Sequence, residues 1–423
     1  MSNFLYKENK LHAENVDLET LAKEYGTPLY CYSTEQIADN FHSWQSALKK
    51  ITSEDNFTIC YACKANSSTA ILKMLKKLGS GADVVSIGEI KRTERAGIKA
   101  TKIVFSGVGK TDKELSYAID KELMMINIES ESEFNRIVQI TSEKKKNANI
   151  SFRINTNTDA KTHKKITTGL SENKFGLDPE TALKLYKKAK DIEHISATGI
   201  SIHIGSQILD LPPFKEAFTF LAEFINKLKD QGNVIDKVSL GGGVGITYKD
   251  EKTIDLNQYA ELIKDIILPL GVHVIVEPGR SILGDAGIIL TRAIHKKTTT
   301  NKKFLIIDAA MNDLMRPALY NAHHEILPYN NTTSEVETFD IVGPVCETSD
   351  TFLKNTEIRQ DIKSGDLLAI MTCGAYAASM ASTYNSRDIA PEVLVSNCKA
   401  DLINKGLKLD DLIANETIPD WLK

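Results

Sequence analysis

Between Phe57 and Arg280 the chain alternates two patterns of apolar and polar positions. Short apolar runs rich in β-branched and aromatic residues predict buried strands: Phe57–Cys63, Ala82–Val85, Lys102–Ser106, Met124–Glu129, Asn149–Asn155, Ala197–His203, Lys237–Gly241 and Val272–Glu277. Between them, Thr69–Leu78, Lys113–Lys121, Ser132–Lys145, Pro179–Ile192, Phe214–Asp230 and Leu256–Leu268 repeat their apolar side chains at helical spacing. Gly88–Ala96 is short for its helix. Eight strand–helix units in roughly 220 residues suit a closed (β/α)8 barrel of the TIM type, which usually takes about 250. An open doubly wound sheet alternates in the same way. Eight strands leave none over for a sheet edge, which favours the barrel.

The pattern changes after Arg280. Gly287–Lys296, Lys303–Asp308, Glu337–Val342 and Leu367–Met371 are apolar or alternating runs separated by turn residues, with little helical spacing between them. They predict a second, mostly antiparallel β domain. Pro28–Ser33 reads as one more strand, ahead of the barrel. The expected class is α/β plus β, with a barrel at 34–280 and a β-rich domain made of 1–33 and 281–423.

Composition narrows the function classes. The chain has 423 residues, 42% of them apolar, and a net charge of −4. With a pI near 6.2 it has no global attraction for nucleic acid or an anionic membrane. The N-terminal Met1–Glu8 lacks an apolar signal core, and no apolar run reaches membrane-spanning length, so a cytoplasmic protein is expected. Six cysteines are too few for a disulfide scaffold. Cys60 and Cys63 form a C-x-x-C, but on a strand that spacing points the thiols to opposite faces. His323-His324-Glu325 lacks the spacing that sets two imidazoles on one helical face. No metal site is expected.

In a barrel the chemistry sits where the strands end, on one rim. The predicted strand ends carry Lys64, Asp83, His203, the run Gly241-Gly242-Gly243-Val244-Gly245, and Glu277-Pro278-Gly279-Arg280. A lysine delivered by an apolar strand must pair, lose its proton or react. Desolvation would free its amine for Schiff-base chemistry. Glycines let backbone N–H groups close on an anion, and phosphate commonly binds after the seventh and eighth strands. Each residue alone has a bland use: a strand-end charge, a flexible turn, an interior histidine. Together, an amine, a phosphate cradle, a carboxylate and a flat imidazole are what pyridoxal 5′-phosphate requires.

These residues carry a resemblance over essentially the whole chain. Tyr61–Asn66, Gly81–Ser86 with Gly88-Glu89, Asn173–Gly176, His203–Gln207, Gly241–Gly245 and Glu277–Arg280 resemble, in order, the barrel-type pyridoxal-phosphate decarboxylases of basic amino acids. Arg316–Tyr320, Gly343–Glu347 followed by Asp350, and Gly374–Ser379 extend it into the second domain. Within that family the likeness is to the enzymes acting on meso-2,6-diaminopimelate. It implies decarboxylation to L-lysine, the last step of lysine biosynthesis, by a homodimer whose active site is shared across the interface. Lys64 would hold the cofactor covalently, near Asp83, with His203 stacked on the ring and Glu277 at its nitrogen. Ser206, Gly242, Gly243, Gly279, Arg280 and Tyr376 would hold the phosphate. Cys346, from the second subunit, would return the proton. Arg280, Arg316, Tyr320, Glu347 and Tyr376 would bind the substrate, the arginines gripping its far carboxylate and Glu347 its far amine. Decarboxylases of ornithine, arginine or carboxynorspermidine, or a non-catalytic homologue that carries the cofactor, remain open at this point.

Overall fold

Eight parallel strands close into a barrel among the residues that the computed structural model describes, 3–159 and 173–422. They are β1 (Phe57–Ala62), β2 (Gly81–Val84), β3 (Ile103–Phe105), β4 (Met125–Ile128), β5 (Ala148–Arg153), β6 (Ile195–Ser201), β7 (Lys237–Ser239) and β8 (His273–Val276). Each pairs with its neighbour in sequence, and β8 closes on β1 through Val274↔Phe57. Strands buried on both faces carry apolar side chains inside and out, as Ile103–Phe105 does, whereas Ala148–Arg153 and Ile195–Ser201 interleave polar residues. The barrel belongs to a unit of Ala38–Thr247 and Glu251–Ile282.

The helices between the strands are set by their starts and stops. Ser86 and Ser130 cap the helices Ile87–Ala96 and Glu131–Lys144 by accepting from Glu89 N and Glu133 N. Thr111 and Glu114 form a reciprocal capping box before Asp112–Asp120. The expected helix Leu256–Leu268 is α-helical only over Leu256–Leu262 and continues as a π turn, Ile263–Ile267, before the 3₁₀ turn Leu268–Leu270. Pro269, without an N–H, cannot carry the ladder further.

The strands differ from expectation at one end in particular. Each stops short of its predicted last residue: β1 at Ala62 rather than Cys63, β6 at Ser201 rather than His203, β7 at Ser239 rather than Gly241, β8 at Val276 rather than Glu277. Past β7 the rim backbone has left the ladder and its donors turn to side chains, Gly241 N to Ser239 Oγ and Gly242 N to His203 Nδ1. This alters the C-x-x-C argument. Cys63 lies in the 3₁₀ turn Cys63–Ala65 and not on a strand, and both thiols are buried and unbridged.

The other unit comprises Met1–Ile37, Tyr248–Asp250 and Leu283–Lys423. Its central strand, Gly287–Thr298, pairs antiparallel with Leu29–Ser33, Lys303–Ile307 and Leu367–Ile370. Two parallel pairings, Lys303–Ile307 with Val336–Val342 and Glu392–Ser396 with Leu29–Ser33, make the sheet mixed but mostly antiparallel. Leu29, Cys31, Ile288 and Leu290 are fully buried with Phe4, Leu11, Val393 and Val395. Thr351–Arg359, Lys399–Asn404 and the N-terminal sheet Phe4–Lys7, Lys10–Ala13 and Val16–Asp17 were not announced by the apolar pattern.

Candidate active site

Lys64 sits one turn past β1, and its Nζ lies 3.6 Å from Asp83 Oδ2 at the end of β2. The expectation of a desolvated amine needs correction, because the Lys64 side chain is 42% exposed and meets an acid that is 1% exposed. Asp83 is held by Ser106 Oγ, which donates to its Oδ1 at 2.7 Å and in turn accepts from Asn127 Nδ2 at 3.0 Å. The amine is placed by an ion pair, not by exclusion of water.

Glu277 follows β8, buried, and accepts from Ser239 Oγ at 2.5 Å. Burial first, and then the charge of Asp83, push its carboxyl up to about 8, against the pull of Lys64 and Arg153. Glu89, on the helix after β2, is pushed up to about 7, chiefly by burial, although Val85 N donates to it at 2.8 Å. His203 follows β6. Its Nδ1 accepts from Gly242 N at 3.3 Å, so the neutral ring carries its proton on Nε2. Burial, Lys64 and Arg153 hold it well below the usual imidazole range.

The glycine run after β7 is packed too closely for side chains. A Cβ on Gly242 would stand 2.3 Å from Glu277 O. Gly243 takes φ +110°, and a Cβ there would stand 2.7 Å from Gly205 O. Beside it, Arg280 Nη2 donates to Ser206 Oγ at 3.0 Å. Gly279 and Arg280 lead into the short helix Arg280–Leu283.

Two functional residues escaped the sequence reading. Arg153, ending β5, reaches both oxygens of Glu129, at 3.1 and 3.3 Å, and lies 4.8 Å from the Phe175 ring centroid. Glu129 also accepts from Gly107 N and Gly176 N. This buried pair ties three rim segments together and puts a cation within electrical reach of His203 and Glu277. Their signal was available, since polar residues at the ends of apolar strands belong to the rim.

The remaining candidates lie in the β-rich unit. Arg316 is buried and opens the helix Arg316–Tyr320. Its Nη1 stands 2.8 Å from His324 Nε2, and its guanidinium carbon 4.4 Å from the Tyr248 ring centroid. Cys346 and Glu347 are exposed on a loop organised by buried Asp350. Asp350 accepts from Met311 N at 2.6 Å and Val345 N at 2.7 Å, and its carboxylate fills the space a Cβ on Gly343 would need. Tyr376 takes φ +57° in the turn after Leu367–Ile370. Among the described residues no group of three or more His, Cys, Asp or Glu could hold a metal ion.

Pyridoxal phosphate fits the rim by donor chemistry. Gly242 and Gly243 keep backbone clear where a side chain would intrude, and Glu277 is a carboxyl that gains from a cationic N–H partner such as a protonated pyridine. The comparisons agree. The family described as pyridoxal-dependent decarboxylase, pyridoxal binding domain, matches residues 34–284. The diaminopimelate decarboxylase of Zymomonas mobilis is 42% identical over 426 residues, covering 100% of both chains. The crystal structure of diaminopimelate decarboxylase from Helicobacter pylori complexed with L-lysine has a TM-score of 0.90 at 43% identity, over 94% of this chain and 98% of that one. That from M. jannaschii in co-complex with L-lysine has a TM-score of 0.94 at 40% identity, over 99% of each. The chain belongs to the pyridoxal-dependent decarboxylases, in the branch formed by the diaminopimelate decarboxylases.

Proposed function

We propose that the chain decarboxylates meso-2,6-diaminopimelate to L-lysine and carbon dioxide, with pyridoxal 5′-phosphate as its cofactor. The observation that carries this reading is the end-to-end match to diaminopimelate decarboxylases, with Lys64, His203 and Glu277 standing at the ends of barrel strands. When bound, the cofactor supplies an aldehyde for the substrate amine and a ring that takes up the electron pair left by carbon dioxide.

The chain's own residues hold and orient. Lys64 Nζ would hold the cofactor, with Asp83 keeping the lysine aimed. Glu277 would hold the protonated ring nitrogen, a contact worth more in the transition state than in the ground state. His203, uncharged, would pack against the ring. The N–H groups of Gly243 and Gly279, with Ser206, Tyr376 and the Arg280 backbone, would hold the phosphate, the Gly242 N–H being given to His203 Nδ1. Arg280 and Arg316 grip the carboxylate of the centre that survives as lysine, Tyr320 and Tyr376 add hydrogen bonds, and Glu347 takes its amine. Cys346 Sγ returns the proton to the carbon that lost carbon dioxide.

The protein is further read as a cytoplasmic homodimer, with Cys346 supplied by the second subunit and the β-rich domain contributing to substrate binding and dimer contacts. Support for the dimer is the resemblance of Gly343–Glu347 to the family's pattern. Unbridged cysteines suit a reducing compartment, and among the described residues no helix is long and apolar enough to cross a membrane. The test is carbon dioxide release by purified protein with added pyridoxal phosphate, offered meso-diaminopimelate, lysine, ornithine, arginine and carboxynorspermidine. Release from meso-diaminopimelate, with lysine as product, is expected; preference for any other member of the panel refutes the reading.

A further inference from the structure

The His323-His324-Glu325 run, which makes no metal site, has a different use. We propose that His324 is the positioning residue of Arg316: its neutral imidazole accepts from the guanidinium and fixes the fork that grips the substrate's far carboxylate. The inference rests on the role given to Arg316 above.

The geometry admits one protonation state. His324 is fully buried. Its Nε2 lies 2.8 Å from Arg316 Nη1, and a guanidinium only donates, so Nε2 is the acceptor. Its Nδ1 lies 2.9 Å from Met371 O, which only accepts, so Nδ1 carries the hydrogen. Both bonds coexist only in the neutral Nδ1–H tautomer. The Tyr248 ring packs against the same two groups, 4.4 Å from the guanidinium carbon and edge-on to the imidazole at 5.2 Å and 72°. Cys373 Sγ closes the cluster 3.6 Å from Nδ1, its thiol kept protonated by burial.

The two neighbours restrain different motions. The Tyr248 ring bears on the guanidinium from one side, and the His324 acceptor restrains its rotation. A point charge such as an ammonium would need neither. A fork that must meet two carboxylate oxygens needs both. A histidine that merely filled the core would satisfy its nitrogens on backbone, whereas this one spends a buried acceptor on the cation assigned to the substrate.

Two amides of similar polarity test this in the loaded enzyme. In His324→Asn the amide sits at the Nδ1 position, keeping the Met371 bond and losing the acceptor towards Arg316. In His324→Gln an amide oxygen can reach the Nε2 position. His324→Asn should raise KM for meso-diaminopimelate about 10- to 100-fold, the range for a hydrogen bond to a charged group. Its kcat and its affinity for pyridoxal phosphate should stay near wild type. Inhibition by L-lysine, which keeps the carboxylate, should weaken by the same factor; inhibition by cadaverine, which lacks it, should not change. His324→Gln should restore KM. Equal KM values for the two variants, or a loss confined to kcat, would overturn the proposal. Arg316→Met separates the layers: an unchanged KM there sinks the role of Arg316 and this inference with it. A raised KM in Arg316→Met beside an unchanged one in His324→Asn sinks the inference alone.

Discussion

Glu277 in the barrel and Arg316 in the β-rich unit hold charge in opposite ways. At the barrel rim an acid, Glu277, is buried beside another acid, and its carboxyl is pushed up to about 8. In the β-rich unit a cation, Arg316, is boxed by a neutral imidazole and an aromatic ring. The first arrangement leaves a group that gains when a cation arrives, which suits a site completed by a cofactor. The second leaves a cation already oriented, which suits recognition of a carboxylate. On the proposed roles, chemistry is left unfinished at Glu277, and specificity is finished in advance at Arg316.

The largest effect expected from breaking this contrast is on the barrel side. Lys64→Ala should reduce turnover by ~10³-fold or more, as loss of a covalent catalytic group does. Activity near wild type would end the assignment. Glu277→Gln keeps the hydrogen bonding but cannot hold an ionic partner, and kcat should fall by about 10²- to 10³-fold, the scale of a preorganised charge-stabilising contact. The same variant has a signature in the cofactor-free protein. A carboxyl raised from 4.5 to about 8 keeps, in the folded chain, a proton that the unfolded chain loses. Glu277 should therefore contribute stability that is lost as pH rises through that window, and Glu277→Gln should remove that contribution. Glu89 adds to the decline and His203 opposes it, in both proteins. Denaturant midpoints of wild type and variant taken across the window would read the difference, and parallel profiles would remove the reason for treating Glu277 as a group awaiting a cation.

On the recognition side the effect is smaller and falls on binding. Glu347→Ala should raise KM for meso-diaminopimelate about 10- to 100-fold, the range for one hydrogen bond to a charged group. Its pyridoxal phosphate affinity should hold. A variant that lost cofactor and substrate together would blur the division between the two units.

The same contrast explains what could be read from residues alone. Several barrel strands are nearly continuous apolar runs, and the candidate residues follow them within a residue or two. Lys64, His203 and Glu277 could be found by asking what comes after each run. Even there the strand ends were placed too late, because rim backbone donors turn from the ladder to side chains, as Gly241 N does to Ser239 Oγ and Gly242 N to His203 Nδ1. The β-rich unit gives weaker signals. Lys399–Asn404 has no buried residue, and Thr351–Arg359 alternates poorly, so no apolar period announces either. Supporting contacts were hidden altogether. His324 meets Arg316 across eight positions, Asp350 meets Met311 across 39, and Arg153 meets Glu129 across 24. Only folding brings such partners together.

The claim under all of this is that one amine, that of Lys64, carries the cofactor. Reduction of the pyridoxal phosphate-loaded protein with borohydride, followed by peptide mass mapping, reads it directly. The account predicts a stable pyridoxyl group on the peptide containing Lys64 and a Lys64→Ala protein that stays unlabelled. Label on a different lysine, or none at all in protein that decarboxylates meso-diaminopimelate, would contradict it.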